Sequence, residues 1–144
     1  MPKLKFSASA TGESATKTMV KTDSFHIIID EPPSLGGTNE GPNPVQYLLA
    51  ALAGCLNVLC HMVAGEMSFT LKGLTIELEG DLDPARLYGK SMESRAGYSE
   101  IRVTVKPEAD TDSGTLDRWL KTVESRCPVS DNIANATPVK IQLG

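Results

Sequence analysis

The stretch VQYLLAALAGCLNVLCHMVA, residues 45–64, decides the fold because it is a long apolar segment without a single charge. Asn43 precedes it and can accept hydrogen bonds from the free N–H groups at a helix start, while Pro44 suits the first helical position. We therefore predict one long helix from Pro44 to about Ala64, ended by Gly65.

An apolar segment of this length is also typical of a membrane span. Gln46, Asn57 and His61 interrupt it, no basic cluster flanks it closely, and amphipathic strands surround it on both sides. We interpret it as the core helix of a soluble protein, and we expect no membrane partner.

Composition limits the function classes. With 144 residues and 40% apolar residues, the chain fits one domain spanning residues 1–144. Its net charge of −4 and its interspersed acids and bases exclude a nucleic-acid partner, which would require clustered Lys and Arg. Residues 1–10 lack the unbroken apolar run of a secretory signal, so we expect a cytoplasmic protein. There Cys55, Cys60 and Cys127 would stay reduced rather than form a disulfide framework.

The rest of the chain predicts an α+β fold of three strands, the long helix, two strands, a second helix and a last strand. Asp112 caps the second helix, and Pro128 stops it. Polar loops follow the third strand (Glu31–Pro42) and join the next two strands (Asp83–Tyr98). Short turns between neighbouring strands favour antiparallel sheets. The predicted strands are Leu4–Ala8, Lys17–Thr22, Phe25–Asp30, Leu74–Leu82, Ser99–Lys106 and a last one containing Val139, Ile141 and Leu143.

Two of the cysteines are candidates for chemistry. A step of about 100° per residue places Cys60 in the polar sector of the long helix and Cys55 on the opposite, apolar side. Cys127, at the end of the second helix, faces inward and would meet Cys55 if the two helices pack together. An apolar setting disfavours a thiolate, so an inert core role stays open for each of them. The polar sector contains Gln46, Asn57, Cys60 and His61, and the apolar side contains Leu48, Leu52, Cys55, Leu59 and Met62.

Four motifs carry a resemblance. They are GPNP at Gly41–Pro44, LLAALAGCLN at Leu48–Asn57, EGDLD at Glu79–Asp83 and RCPV at Arg126–Val129. In this order, from about Ile29 to the C-terminus, the chain resembles the family of osmotically induced protein C and the organic hydroperoxide resistance proteins.

The resemblance implies an OsmC-like α+β fold, with antiparallel sheets around a long central helix, in an intertwined homodimer with active sites at the interface. It also implies thiol-dependent reduction of hydroperoxides, organic ones preferentially, in stress defence. Cys55 matches the peroxidatic cysteine of the family, and Cys127 matches the resolving cysteine. An external dithiol would be the reductant, and no cofactor is expected.

One departure concerns activation. The family's peroxidases use an arginine from the N-terminal strands, held by a glutamate near the helix start, to favour the thiolate. This chain has no arginine before Arg86, so Lys17 or Lys21 would supply the positive charge and Gln46 would orient it. The alternative is a non-catalytic member of the family that binds a small molecule or acts in stress without chemistry. The cysteine and histidine spacing matches no zinc site, and no metal is expected.

Overall fold

The chain forms five strands and three α-helices in a computed structural model that describes all residues, Met1–Gly144. The strands pair only in antiparallel fashion, which confirms the predicted α+β class. The residues divide into two units, 1–48 and 49–144. In chain order the elements are β1 (Ser9–Gly12), β2 (Thr18–Thr22), β3 (Phe25–Ile29), a 3-10 turn (Pro33–Leu35), α1 (Pro44–Glu66), β4 (Leu71–Leu82), β5 (Tyr98–Ala109), α2 (Ser113–Arg126) and α3 (Pro128–Ala134).

The first unit contains the predicted three-stranded meander, but its first strand is shifted. The prediction of Leu4–Ala8 was wrong, because β1 occupies Ser9–Gly12. The backbone N–H groups of Glu13 and Ser14 both donate to the carbonyl of Lys17, at 2.8 and 3.2 Å. This turn fixes which residues face β2, and the alternating residues further upstream remain exposed.

Asp30 organises the loop after β3. Its fully buried carboxylate accepts hydrogen bonds from the Thr38 hydroxyl at 2.6 Å, the Thr16 hydroxyl at 3.2 Å, and the backbone N–H groups of Glu31, Thr38 and Glu40. The Thr38 hydroxyl bond is the largest cause that holds the pKa of Asp30 well below its usual value, and the backbone N–H groups act in the same direction. One ionised side chain thus replaces the regular backbone pairing that this loop lacks.

The start of α1 is capped as predicted. The side chain of Asn43 accepts from the N–H of Gln46, and the side chain of Gln46 accepts from the N–H of Asn43, both at 2.9 Å. This is a reciprocal capping box. The hydroxyl of Tyr47 donates to the carbonyl of Ile28 at 2.7 Å, which joins the first helical turn to β3. A Cβ at Gly41 would lie 2.2 Å from that same carbonyl oxygen, so only glycine fits there.

The end of α1 differs slightly from the prediction. The helix continues through Gly65 to Glu66, because one glycine costs a helix only about 1 kcal/mol. The chain turns away at Ser68, which has a left-handed φ of 63°, and the N–H of Phe69 donates to the carbonyl of Ala64 at 3.0 Å. The helix therefore ends two residues beyond the predicted Ala64, and Ser68 rather than Gly65 turns the chain.

In the second unit, α1 and α2 contribute most of a buried core. The indole N–H of Trp119 donates to the backbone carbonyl of Cys60 at 2.9 Å, and its ring packs edge-on against Phe69 at 6.0 Å. β4 and β5 pair along their whole length, and both are longer than predicted. The buried residues are Leu52, Leu56, Leu59, Cys60, Val63, Ala64, Leu71, Trp119, Val123 and Cys127.

The C-terminal part of the chain contains the predicted helix α2 and one helix, α3, that was not predicted. Asp112 caps α2 as predicted, through the N–H of Thr115 at 2.8 Å. Pro128 does more than stop α2, because it occupies the first turn of the additional helix α3.

The predicted last strand does not form within this chain. Val139, Ile141 and Leu143 are 78%, 93% and 100% exposed, and the backbone after Ala134 pairs with no strand. A strand needs a paired neighbour, and alternation in the sequence does not supply one.

By length and composition alone, helix Pro44–Glu66 is able to cross a membrane, a test that core helices of soluble proteins also pass. Only 33% of its most apolar window is buried within the chain. Val58 and Met62 stay 59% and 48% exposed. The helix therefore packs against the core on one face and presents a second apolar face outward.

Candidate functional site

The structure brings Cys55 and Cys127 together although they are 72 residues apart in the chain. The thiol of Cys127 donates to the sulfur of Cys55 with an Sγ–Sγ distance of 3.2 Å, and both cysteines are free. A disulfide bond is about 2.0 Å long, so the two sulfurs need to approach by only roughly 1 Å. The pair is placed to switch between two thiols and one disulfide.

Cys127 links two helices. It ends α2 and caps α3, and its sulfur accepts a hydrogen bond from the N–H of Ser130 at 3.4 Å. It is buried, which confirms that it faces inward. Burial is the largest cause that raises the pKa of the Cys127 thiol, and the Ser130 N–H acts in the opposite direction because it stabilises the thiolate. Ser130 was not among the predicted site residues, although Pro128 suits the first position of a new helix, whose early N–H groups are free to donate.

Cys55 lies at the border of the core. It is half-buried and packs against the buried cluster, whereas Leu48 and Met62, which share its side of α1, are exposed. The expectation that hydrocarbon surrounds Cys55 was therefore only half right. Cys55 is thus partly accessible within this chain and packs against the core cluster.

Cys60 is fully buried, and the prediction that it belongs to the polar sector was wrong. Asn57 and His61 are exposed as expected, but the buried arc of α1 extends as far as Cys60 because Trp119 covers that turn. Burial raises the pKa of Cys60 to about 11, so this thiol is an inert packing group. The chain has no group of three or more His, Cys, Asp or Glu side chains that could hold a metal ion.

Arg126 precedes Cys127 in the chain, but its positive charge is paired with Glu66. Its guanidinium forms a two-point ion pair with Glu66, at 2.6 and 3.1 Å, and donates to the sulfur of Met62 at 3.5 Å. Met62 lies seven residues after Cys55, which is about 10 Å along the helix axis. This ion pair joins α2 to the C-terminal end of α1. Its partners are 60 residues apart, so local patterns could not predict it.

The three candidates for activating or orienting the thiolate belong to the first unit. The ammonium of Lys17 pairs with Glu40 at 2.8 Å and Glu13 at 3.3 Å, and the bond to Glu40 is the largest cause that raises the pKa of Lys17. Lys21 is exposed on β2. The side chain of Gln46 is engaged in the cap of α1. Their roles toward Cys55 stay predictions.

The chain is similar to one protein family and to several solved structures. The family model described as OsmC-like protein matches residues 37–142, and no curated protein sequence matches the chain. The crystal structure of an OsmC-like protein from Mycoplasma pneumoniae superposes with a TM-score of 0.78 at 20% identity, covering 93% of this chain and 89% of that one. An organic hydroperoxide resistance protein from Legionella pneumophila gives 0.65 at 20% identity, with coverages of 92% and 91%. The organic hydroperoxide resistance protein OhrB of Bacillus subtilis gives 0.57 at 23% identity, covering 89% of each chain. At these identities the likeness to solved structures shows the fold.

Proposed function

The chain belongs to the OsmC-like protein family, and we propose that it is a cytoplasmic reductase of organic hydroperoxides with Cys55 as nucleophile and Cys127 as resolving thiol. The observation that carries this proposal is the 3.2 Å contact between the two sulfurs at the border of the core. Two structurally similar proteins, from Legionella pneumophila and Bacillus subtilis, are described as organic hydroperoxide resistance proteins, which supports the same activity here.

The proposed reaction has three steps. The Cys55 thiolate attacks the distal peroxide oxygen, the O–O bond breaks, and Cys55 becomes a sulfenic acid. The alkoxide that leaves takes a proton from solvent and becomes the alcohol. The sulfur of Cys127 then attacks the sulfur of Cys55, so that a disulfide forms and water leaves. An external dithiol supplies two electrons and two protons, which restores both thiols. No step requires a bound cofactor.

The surroundings of Cys55 favour an organic peroxide. Val58 and Met62 follow it at three and seven residues on the same side of α1, and both side chains are exposed. In the proposed dimer this strip of hydrocarbon would form one wall of an apolar site for an alkyl group beside the sulfur.

The proposal includes a homodimer. The outward apolar face of α1 and the exposed alternating side chains of Val139, Ile141 and Leu143 are surfaces that isolated soluble chains rarely leave uncovered. A second copy of the chain would cover them and provide a ladder for the C-terminal segment. Equilibrium sedimentation should show a dimer, and a stable monomer at micromolar concentration would contradict this part.

A lysine near β2, Lys17 or Lys21, is proposed to favour the Cys55 thiolate, with Gln46 as the orienting group. Lys17 keeps its positive charge beside two carboxylates, and Lys21 presents its charge on the strand surface. The test compares the variants Lys17→Gln and Lys21→Gln in the pH dependence of Cys55 alkylation. The activating lysine should shift this dependence to higher pH when replaced, and two unchanged curves would exclude both.

The activity itself is tested with cumene hydroperoxide and a dithiol. With both reagents wild-type protein should turn over and Cys55→Ser should lose all activity. Without the dithiol, reduced Cys127→Ser should consume one equivalent of peroxide and form no internal disulfide. Cys60→Ala is the matched control, because this buried thiol takes no part, and it should retain activity. No turnover together with no loss of thiols would refute the proposal. A co-purified apolar ligand in native mass spectrometry, with an unreactive Cys55, would instead favour a binding protein.

A further inference from the structure

The two sulfurs of the thiol pair differ in access to solvent. Cys55 is half-buried at the border of the core, whereas Cys127 is only 1% exposed. A disulfide between them would therefore join a partly accessible residue to a buried one. Any thiol that reopens the bond has to reach one of these two atoms.

The geometry of thiol–disulfide exchange makes this difference decisive. The attacking thiolate approaches one sulfur while the other sulfur departs, and access together with the quality of the leaving thiolate decides which sulfur is attacked. An attack on Cys127 would have to enter among buried residues, where its sulfur already contacts the N–H of Ser130. Cys55 is partly accessible, so an attack on it would not have to enter the core.

Hydrogen bonding favours the same direction. The Ser130 N–H donates to the Cys127 sulfur at 3.4 Å and would receive the negative charge that develops there when the bond breaks. Donors that already point at a developing charge lower the cost of forming it, because they need no reorganisation. This N–H partly offsets the burial that raises the pKa of the Cys127 thiol, so the direction of attack is decided by access to Cys55 and the N–H assists the departure of Cys127.

We infer that the Cys55–Cys127 disulfide is regenerated in one fixed direction, with the reductant attacking Cys55 and Cys127 departing toward the Ser130 N–H. This inference rests on the proposed redox pair. The reductant thiolate forms a bond to the sulfur of Cys55, the Cys55–Cys127 bond breaks, and its electron pair stays on Cys127, which then takes a proton. The second thiol of the reductant attacks its own sulfur in the mixed disulfide and releases Cys55, leaving the reductant oxidised.

The test uses the full chain and requires no peroxide. Diamide oxidises the protein to the internal disulfide, a limiting amount of glutathione opens it, and rapid alkylation traps the products. Trypsin cuts after Arg126 and Lys140, so Cys127 is the only cysteine in peptide 127–140, while Cys55 and Cys60 share peptide 22–72. Fragmentation of that second peptide distinguishes its two cysteines.

Glutathione should be found on Cys55, with Cys127 alkylated, in at least about tenfold excess over the reverse product, because Cys127 is buried and Cys55 is only partly buried. Glutathione mainly on Cys127 would overturn this inference alone. Failure of diamide to form the disulfide at all would overturn both the inference and the proposed redox pair.

Two variants test the contribution of the Ser130 N–H. Ser130→Pro removes this N–H, and Ser130→Ala keeps it while removing the hydroxyl. Ser130→Pro should reopen the disulfide roughly tenfold more slowly, whereas Ser130→Ala should stay within about twofold of wild type. Equal rates for the two variants would show that the N–H does not assist departure. The peptide map of the wild-type protein needs neither variant, so it decides the direction of attack even if Ser130→Pro disturbs α3.

Discussion

Oxidation of the thiol pair should make the folded protein more stable. The two sulfurs already lie 3.2 Å apart, so the native structure needs little adjustment to bond them. In the unfolded chain the same bond would close a loop between cysteines 72 residues apart and remove much of its conformational freedom. The stabilisation therefore arises mainly in the unfolded state.

The chain-entropy relation gives the size of this effect. For a loop of this length it predicts about 4 kcal/mol at 25 °C, from which any strain in the native disulfide is subtracted. A domain near this size gains about 2–4 °C in Tm per kcal/mol, so the oxidised protein should melt roughly 10 °C higher than the reduced protein.

Thermal and urea unfolding of diamide-oxidised and fully reduced protein would measure the difference. The free energies extrapolated to water should be compared, because a cross-link also makes the unfolded state more compact and lowers the m-value. Cys60→Ala should show the same gain, and Cys127→Ser should show none. An oxidised wild-type protein no more stable than the reduced one would refute the reasoning, because it would mean that closing the bond distorts the native structure by as much as it constrains the unfolded chain.

Three further predictions concern the framework around the site. Gly41→Ala should lower the free energy of unfolding by about 1–3 kcal/mol, since its Cβ would lie 2.2 Å from the Ile28 carbonyl oxygen; a variant as stable as wild type in urea would contradict this. The folded-state pKa of Asp30 is lowered, so its stabilising effect is complete above its ordinary pKa of about 4 and is lost as pH falls below it. Urea midpoints measured against pH should therefore fall more steeply in acid for wild type than for Asp30→Asn, and parallel curves would exclude this role. Trp119→Ala should lower the free energy of unfolding by about 3–5 kcal/mol, because the indole is buried. Leu120 is its exposed neighbour, and Leu120→Ala should lower that free energy by less than about 1 kcal/mol. Equal losses in thermal unfolding would show that the indole is not central to the core.

The sequence predicted those features that depend on local chemistry. The caps at Asn43 and Asp112 act through side chains within three residues of their partners, so they could be predicted from spacing alone. The long helix follows from an uncharged apolar run behind a cap, and the amphipathic strands follow from alternation of polar and apolar residues; both signals are local. The inward direction of Cys127 followed from the same arithmetic.

Features that depend on tertiary packing could not be predicted from the sequence. The position of β1 is set by a turn at Glu13 and Ser14 whose hydrogen bonds the alternation does not encode. Cys60 is buried because Trp119, 59 residues away, covers its turn of α1. The segment after Ala134 alternates like a strand but has no partner within the chain. In each case the missing information was the identity of a neighbour distant in sequence.

The buried indole described above also has an optical consequence. Trp119 is the sole tryptophan of the chain, it is shielded from water, and it bonds across to the helix that presents Cys55. Its fluorescence therefore comes from a single buried environment. A red shift of the emission would report that α2 has separated from α1 and exposed the indole to water. Stopped-flow recording of that signal would time the docking of the two helices without any attached dye.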